Sequence, residues 1–472
     1  MRRRACCRGQ SGRVAMALLA GVLTLAACAE IPDVNGIIEG GDVAAAPPRI
    51  VGAHGPLTPA QSKIVLARLE SETHNSDVLS RHLALETALD DSPLVVGNKV
   101  GLLRNGAATI QAMFRVIREA KDHVNLEYYT VENIDDGTET LADLLIAKER
   151  QGVQINMIYD GFGSLATPAV FFDRLRRAGI ALLEFHPLDP LEAKNGYAPN
   201  DRDHRKILVA DGRRAIIGGV NLSTVYERHP LDPGAGAGAQ PSRPWRDTDL
   251  EIDGPAAAQL EKLFLATWNA QGGAALSTKP DYFPRIEPKG KEVVRILGST
   301  PEQPIPDYYV SLLSAIRNAE SRIWISAAYF VPTHAEMEDL IHAARRGVDV
   351  RLLLPGESDS DAALAVGHSH YEDLLEAGVK IYEYRRSVLH SKLVTIDGVW
   401  SVVGSSNFDH RSVLFNNEVD AVVLGRDTAG QIEAMFADEL ARAAPIDRKS
   451  WAARPLSDRL NEMLARLWQV LL

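Results

Sequence analysis

The sequence predicts an α/β fold of two homologous halves, each a mixed or parallel sheet flanked by helices, packed about a pseudo-twofold axis. Three observations predict it. First, one short pattern occurs twice. His204-Arg205-Lys206 leads to Asp211-Gly212, Gly218 and Asn221, and His390-Ser391-Lys392 leads at the same offsets to Asp397-Gly398, Gly404 and Asn407. Second, helix-like and strand-like stretches alternate in the same order around each copy, the signature of an α/β chain. Third, an acid stands at the same distance before a glycine in both halves, Asp247 before Gly254 and Glu418 before Gly425.

Taken in order, residues 1–27 read as a secretion signal, with five arginines ahead of an apolar run and Leu25-Ala26-Ala27-Cys28 at its end. The run is short for a transmembrane helix. Residues 28–59 are rich in Ala, Gly and Pro and read as a flexible tether. Residues 60–97 read as a helical segment, with Ile64, Leu66, Leu69, Leu79, Leu83 and Leu85 among polar residues. The first half is expected over residues 98–270 and the second over 291–445. Ile117-Arg118-Glu119-Ala120 precedes alternating Val124, Leu126 and Tyr128, as Ile316-Arg317-Asn318-Ala319 precedes Ile323, Ile325 and Ala327. Gly152-Val153-Gln154-Ile155 matches Gly347-Val348-Asp349-Val350, each a helix stop before a strand. Residues 229–244, with Gly234-Ala235-Gly236-Ala237-Gly238, read as an inserted loop, and Gly/Pro-rich 271–290 as a linker. Leu456, Leu460, Met463, Leu464, Leu467 and Trp468 give residues 446–472 the spacing of an amphipathic helix, suited to lipid or to the protein body.

Composition excludes several functions. With 46% apolar and 24% charged residues the chain is of globular type, not disordered. Its net charge is −11 although residues 1–27 contribute only positive charge, so the body disfavours non-specific nucleic-acid binding. The cysteines are Cys6, Cys7 and Cys28, so the chain beyond them holds no disulfide, thiol nucleophile or thiolate metal site.

The doubled motif carries the chemistry. Alternate strand residues share a face, so His204 points with Lys206 and His390 with Lys392. Asp-Gly between apolar runs predicts a hairpin, which returns Asn221 to His204 and Asn407 to His390. Gly218 and Gly404 leave room for close approach. Two His, two Lys and two Asn in one place suit a phosphodiester. One imidazole attacks phosphorus, the other protonates the leaving alkoxide and then deprotonates an acceptor, and lysines and amides hold the non-bridging oxygens. No metal or cofactor is called for. A carboxylate is expected to orient each imidazole, and the matched spacing nominates Asp247 and Glu418. Asp211 and Asp397, at the turns, read as structural. His368-Ser369-His370 offers two imidazoles with no nearby acidic cluster, too few ligands for zinc.

These motifs resemble the HKD motifs of the phospholipase D superfamily over residues 98–445, most closely in bacterial cardiolipin synthases. The resemblance rests on His204–Val209 with Ile217–Asn221, Trp245-Arg246-Asp247-Thr248, Tyr329-Phe330-Val331-Pro332, Val403–Ser412 and Asp160–Ser164. It implies phosphatidyl transfer between phospholipids at a membrane surface, with His204 as nucleophile, His390 as acid and base, and no nucleic-acid partner. It also carries Asp211 and Asp397 as catalytic candidates alongside Lys206 and Lys392. Water as acceptor would make the chain a phospholipase D, and an exported phosphodiesterase or nuclease is a further reading. Leu25–Cys28 resembles a bacterial lipobox, implying a lipidated Cys28 and an anchor in the cell envelope facing the periplasm. Typical members begin instead with transmembrane helices. Two motifs in one chain make one complete site in a monomer.

Overall fold

The computed structural model describes residues 31–34, 48–72, 92–193, 196–227 and 244–472. In the first half the principal strands are β1 (Leu94–Leu103), β2 (His123–Tyr128), β3 (Gln154–Asp160), β4 (Ala181–Phe185), β5 (Lys206–Ala210), β6 (Arg214–Gly218) and β7 (Asp249–Asp253). The second half repeats them as β8 (Glu292–Ser299), β9 (Arg322–Ala327), β10 (Asp349–Pro355), β11 (Lys380–Tyr384), β12 (Lys392–Ile396), β13 (Trp400–Gly404) and β14 (Asn416–Leu424). Each half has the strand order 4-3-2-5-6-7-1 in the first-half numbering, with the first three parallel and the others antiparallel. The second half follows the same order, 11-10-9-12-13-14-8. β1 pairs antiparallel with β8, its own counterpart, which is the pairing a twofold relation requires. The mixed sheet and its doubling agree with the expected fold class.

Helices α1 (Gly106–Glu119), α2 (Leu141–Arg150), α3 (Ala169–Arg177) and α4 (Ala257–Ala270) flank the first half. Their counterparts are α5 (Asp307–Asn318), α6 (His334–Arg345), α7 (Asp361–Ala377) and α8 (Arg426–Leu440). Local sequence explains the ends. The Asn105 side chain accepts from Ala108 N to start α1. Thr333 and Glu336 form a capping box on α6. Gly378, at φ 98°, ends α7 in the left-handed conformation that suits glycine.

Alternation along the motif strands divides the core. Leu208, Ala210 and Ile216 join Phe114, Ile117 and Leu145 in the core of the first half. Ile207, Val209, Ala215 and Ile217 face the other way, into a cluster shared with Leu393, Val403, Val419 and Phe436 of the second half. The two halves are thus held by buried apolar surface as well as by β1–β8 pairing, at roughly 25 cal/mol per Å² removed from water.

Three expectations need correction. The tether over 28–59 is in part packed: Val34 is buried against Tyr309, Val310 and Leu313, and Ile50-Val51 pair in parallel with Leu94-Val95. β-branched residues beside the free edge of β1 outweigh the Ala/Gly/Pro composition around them. Of the helical segment, Pro59–Glu72 is a helix and residues 73–91 lie outside the described residues, while β1 already starts at Leu94, before residue 98. The C-terminal segment is not one helix but Arg448–Ala452, Leu456–Ala465 and a 3-10 turn over Arg466–Leu471, since Pro455 interrupts it. The signal, Cys28 and residues 229–243 of the insert lie outside the described residues. No helix among the described residues is long and apolar enough to cross a membrane.

Candidate active site

Each motif is a hairpin closed by an Asp-Gly turn. β5 and β6 pair through Ala210 and Arg214, and β12 and β13 through Ile396 and Trp400. Asp211, Gly212, Asp397 and Gly398 all have positive φ (53°, 59°, 52° and 68°), the conformation a tight hairpin turn demands. The turns point away from the site. The Asp211 carboxylate accepts from the backbone N–H of Lys121, Asp122 and His123, and that of Asp397 from Glu320, Ser321 and Arg322. Asp211 and Asp397, carried above as catalytic candidates, are corrected to turn residues that fasten each hairpin to the start of the neighbouring strand. Asp211→Asn or Asp397→Asn, which tolerates the left-handed turn, is expected to cost about 1 kcal/mol of stability through the weaker acceptor. Thermal melts and turnover check this, and a turnover loss matching that of a histidine variant contradicts it.

A second device docks each motif on the opposite half. Arg202-Asp203 pair in parallel with Asn416-Asn417, and His204 N–H donates to Asn417 O at 2.9 Å. Trp245-Arg246 pair in parallel with Val388-Leu389, and His390 N–H donates to Arg246 O at 2.7 Å. These two bridges bring each carboxylate to the histidine of the other half. His204 Nδ1 lies 3.1 Å from both oxygens of Glu418, and His390 Nδ1 lies 2.7 Å from Asp247 Oδ2. In both rings Nδ1 is thereby engaged, which fixes the ring orientation and directs Nε2 to the remaining space.

That space is a cavity of 640 Å³ whose wall includes His204, His390, Asn221 and Asn407. The lysines lie beneath it. Lys206 Nζ donates to His204 O at 2.5 Å, and Lys392 Nζ to His390 O at 2.7 Å. Lys392 Nζ also sits 2.9 and 3.2 Å from the ring nitrogens of His390. Aromatic rings complete the walls: Tyr129 stands edge-on to His204, and Trp245 and Tyr329 crowd His390.

Electrostatics follow from burial. His204 is lowered to about 4, chiefly by burial, against the pull of Glu418. His390 is lowered to about 4 by burial and by the Lys392 charge. Burial lowers Lys206 to about 7, opposed by Glu418 and reinforced by Lys392, and lowers Lys392 as well. Glu418 is held below its usual range by His204 and Lys206 despite its own burial.

Sequence reasoning missed several members. Ser405 and Ser412 hydroxyls donate to Glu418 at 2.5 and 2.9 Å. Tyr226 Oη lies 3.0 Å from His390 Nδ1 and 3.4 Å from Asp247. Arg205 joins the halves, donating to Glu418 O and Ser299 O, each at 3.0 Å. A second buried acid stands two residues beyond each orienting carboxylate, Asp249 and Asp420, and burial pushes the pKa of Asp420 up to about 8. The room at Gly218 and Gly404 serves these acids: a Cβ there would lie 2.1 Å from Asp249 and 2.0 Å from Asp420. The signal was the acid repeated at +2 in Asp247-Thr248-Asp249 and Glu418-Val419-Asp420. His368, weighed as a metal ligand, lies 3.2 Å from Glu383, and His370 Nδ1 3.2 Å from Arg466.

Comparison with known proteins gives the following. The family described as "Cardiolipin synthase, PLD-like domain" matches residues 113–230 and 312–440, one segment in each half. Cardiolipin synthase of Geobacillus thermodenitrificans is 34% identical over 87% of this chain and 79% of its own. Cardiolipin synthase A of Pseudomonas syringae pv. syringae is 34% identical over 80% of this chain and 76% of its own. The crystal structure of a phosphatidylserine synthase from Haemophilus influenzae aligns with a TM-score of 0.60 at 12% identity, over 86% of this chain and 99% of that one. This last likeness bears on the fold alone.

Proposed function

Because the chain belongs to the cardiolipin synthase, phospholipase D-like family and is a phospholipase D-type phosphatidyltransferase, we propose that it makes cardiolipin through a covalent phosphatidyl-histidine. The observation that carries the reading is the reciprocal pairing of two imidazoles, each oriented by a carboxylate of the other half, on one cavity. His204 Nε2 attacks the phosphorus of a donor phospholipid. The P–N bond forms as the P–O bond to the headgroup breaks, and His390 gives its proton to the departing alkoxide. The glycerol hydroxyl of phosphatidylglycerol then loses its proton to His390 and attacks the same phosphorus. The new P–O bond displaces His204. Lys206, Lys392, Asn221 and Asn407 hold charge on the non-bridging oxygens throughout.

One feature favours His204 as the nucleophile. Its side chain is 12% exposed against 5% for His390, so a phosphorus reaches it more readily. Both imidazoles are lowered to about 4 and neutral near pH 7, so His204 has its Nε2 lone pair available for attack. His390 needs a proton to act as acid. The entering phosphodiester supplies negative charge against Lys392 and lifts the imidazole.

A pH dependence follows from Lys206. Its charged form is the one that binds phosphoryl oxygens, and its pKa is lowered to about 7. Deprotonation removes that charge, so kcat/KM falls as pH rises through about 7. Lys206→Arg, charged at all working pH, shifts the loss upward. A wild-type profile flat from about pH 6 to about 9 contradicts the assignment.

The site is open to a lipid surface. Phe162, on the cavity wall, is exposed beside Leu165, and wall residue Leu472 ends the segment that exposes Leu467 and Trp468. Arg466 fastens that segment to Ser369 and His370 and Arg454 ties it internally through Glu462, while Leu456, Leu460, Met463 and Leu464 face out. Apolar side chains around the mouth of a lipid-binding cavity suit insertion at the headgroup boundary. The lipobox-like Leu25–Cys28 supplies an anchor in the same reading, facing the periplasm. Cys28→Ala is expected to move the protein to the soluble fraction or leave its signal uncleaved, and normal processing with membrane retention contradicts the anchor.

Vesicles of phosphatidylglycerol incubated with the full chain test the function. Mass spectrometry is expected to find cardiolipin and glycerol in equal amounts, since two phosphatidylglycerols yield one of each. Phosphatidic acid as the sole product makes the chain a hydrolase.

A further inference from the structure

The acceptor brings a second phosphate. In phosphatidylglycerol the reacting hydroxyl lies three carbons from that phosphodiester, so both phosphates must fit one cavity. Lys206, Lys392, Asn221 and Asn407 are occupied by the phosphate being transferred. The wall offers two guanidinium groups, Arg202 and Arg411, and they differ in commitment. Arg202 is buried, with Nη1 3.4 Å from Asp160 and its other nitrogens on the carbonyls of Asp201, His186 and Ala198. Arg411 is half-buried on the short helix His410–Leu414. Its guanidinium donates to Asn200 Oδ1 at 3.1 Å and Asn200 O at 2.8 Å and lies 5.8 Å from the Phe415 ring centroid. These are neutral partners, and no ion pair to Arg411 is found among the described residues.

The wall acids have other roles. Asp359 accepts from the Tyr329 hydroxyl at 2.8 Å, and Asp409 caps the Arg411 helix, accepting from Ser412 N at 2.8 Å. Arg411 is therefore a positive charge on the cavity wall, aimed by Asn200 and, although Asp201 and Asp409 lie within its electrostatic reach, held in no ion pair among the described residues. A guanidinium with free N–H groups matches two oxygens of a phosphodiester.

We propose that Arg411 is the subsite for the acceptor's phosphate, the group that distinguishes an anionic glycerophospholipid from a neutral alcohol or water as acceptor. The proposal rests on the transferase reading above. It makes acceptor choice separable from the covalent step, because loading of His204 precedes acceptor entry.

The test uses the full chain and phosphatidylglycerol vesicles supplied with 1,3-propanediol, a neutral competing acceptor. Both products, cardiolipin and phosphatidyl-propanediol, draw on the same donor and the same loaded histidine, so their ratio reports the acceptor alone. Arg411→Gln is expected to lower the ratio about tenfold or more, since a charge-assisted contact to one acceptor is lost. Arg411→Lys, which keeps the charge and guards against a folding defect, is expected to retain more of the ratio than Arg411→Gln. Asn200→Ala, which removes the side-chain tether only, is expected to stay within about threefold of wild type. A ratio unchanged in Arg411→Gln overturns the proposal, as does an equal fall in Asn200→Ala. A wild type that makes phosphatidyl-propanediol without cardiolipin instead overturns the reading of phosphatidylglycerol as acceptor, on which the proposal rests.

Discussion

Alanine at His204 or at His390 is expected to lower turnover by about 10³-fold or more, because a covalent route loses its nucleophile or its proton donor. The two variants differ in what accumulates. With a labelled phospholipid carrying a good leaving group, His390→Ala still loads His204, since departure then needs little protonation. Release stalls for lack of a base, and label persists on the peptide holding His204. His204→Ala gains no label. Peptide mapping reads the difference, and label on His390 in the His204→Ala variant reverses the assignment.

The second large effect concerns the carboxylates that cross between halves. Glu418→Gln and Asp247→Asn are each expected to cost about 10²- to 10⁴-fold, since each frees a ring nitrogen from the charge that orients it. Both acids are buried at the site, and each amide replacement keeps the size of the side chain while removing its charge. The kinetic phases separate them. Glu418→Gln slows loading of His204, its partner at 3.1 Å. Asp247→Asn slows release, because His390 is then a misaligned base. Rapid-quench measurement of labelled enzyme checks this, and slow loading in both variants with normal release in both contradicts the division.

Much of the fold was legible because the chain states it twice. The spacing from His to Asn fixed the hairpins, and the matched Glu418–Gly425 and Asp247–Gly254 intervals picked out both orienting acids from many carboxylates. The exchange of acids between halves was not legible. It depends on two-residue bridges, Arg202-Asp203 with Asn416-Asn417 and Trp245-Arg246 with Val388-Leu389, too short to carry any periodic signal. Composition misled at Ile50-Val51, where a free strand edge decides the conformation, and at Pro455, which divides the C-terminal segment. Tyr226 and Arg411 carried no repeat and no periodicity. Their importance depends on what faces them across the cavity, and only the packed halves reveal it.

The proposed mechanism has two successive displacements at one phosphorus, first by His204 and then by the acceptor hydroxyl. Each in-line displacement inverts the phosphorus, so the pair restores its configuration. A phospholipid donor made chiral at phosphorus by sulfur substitution, turned over by the wild-type chain with 1,3-propanediol as acceptor, reports the outcome in the product's phosphorus NMR spectrum. Retention is the expected result, and inversion would mean that the acceptor attacks the donor directly, with no phosphatidyl-histidine between them.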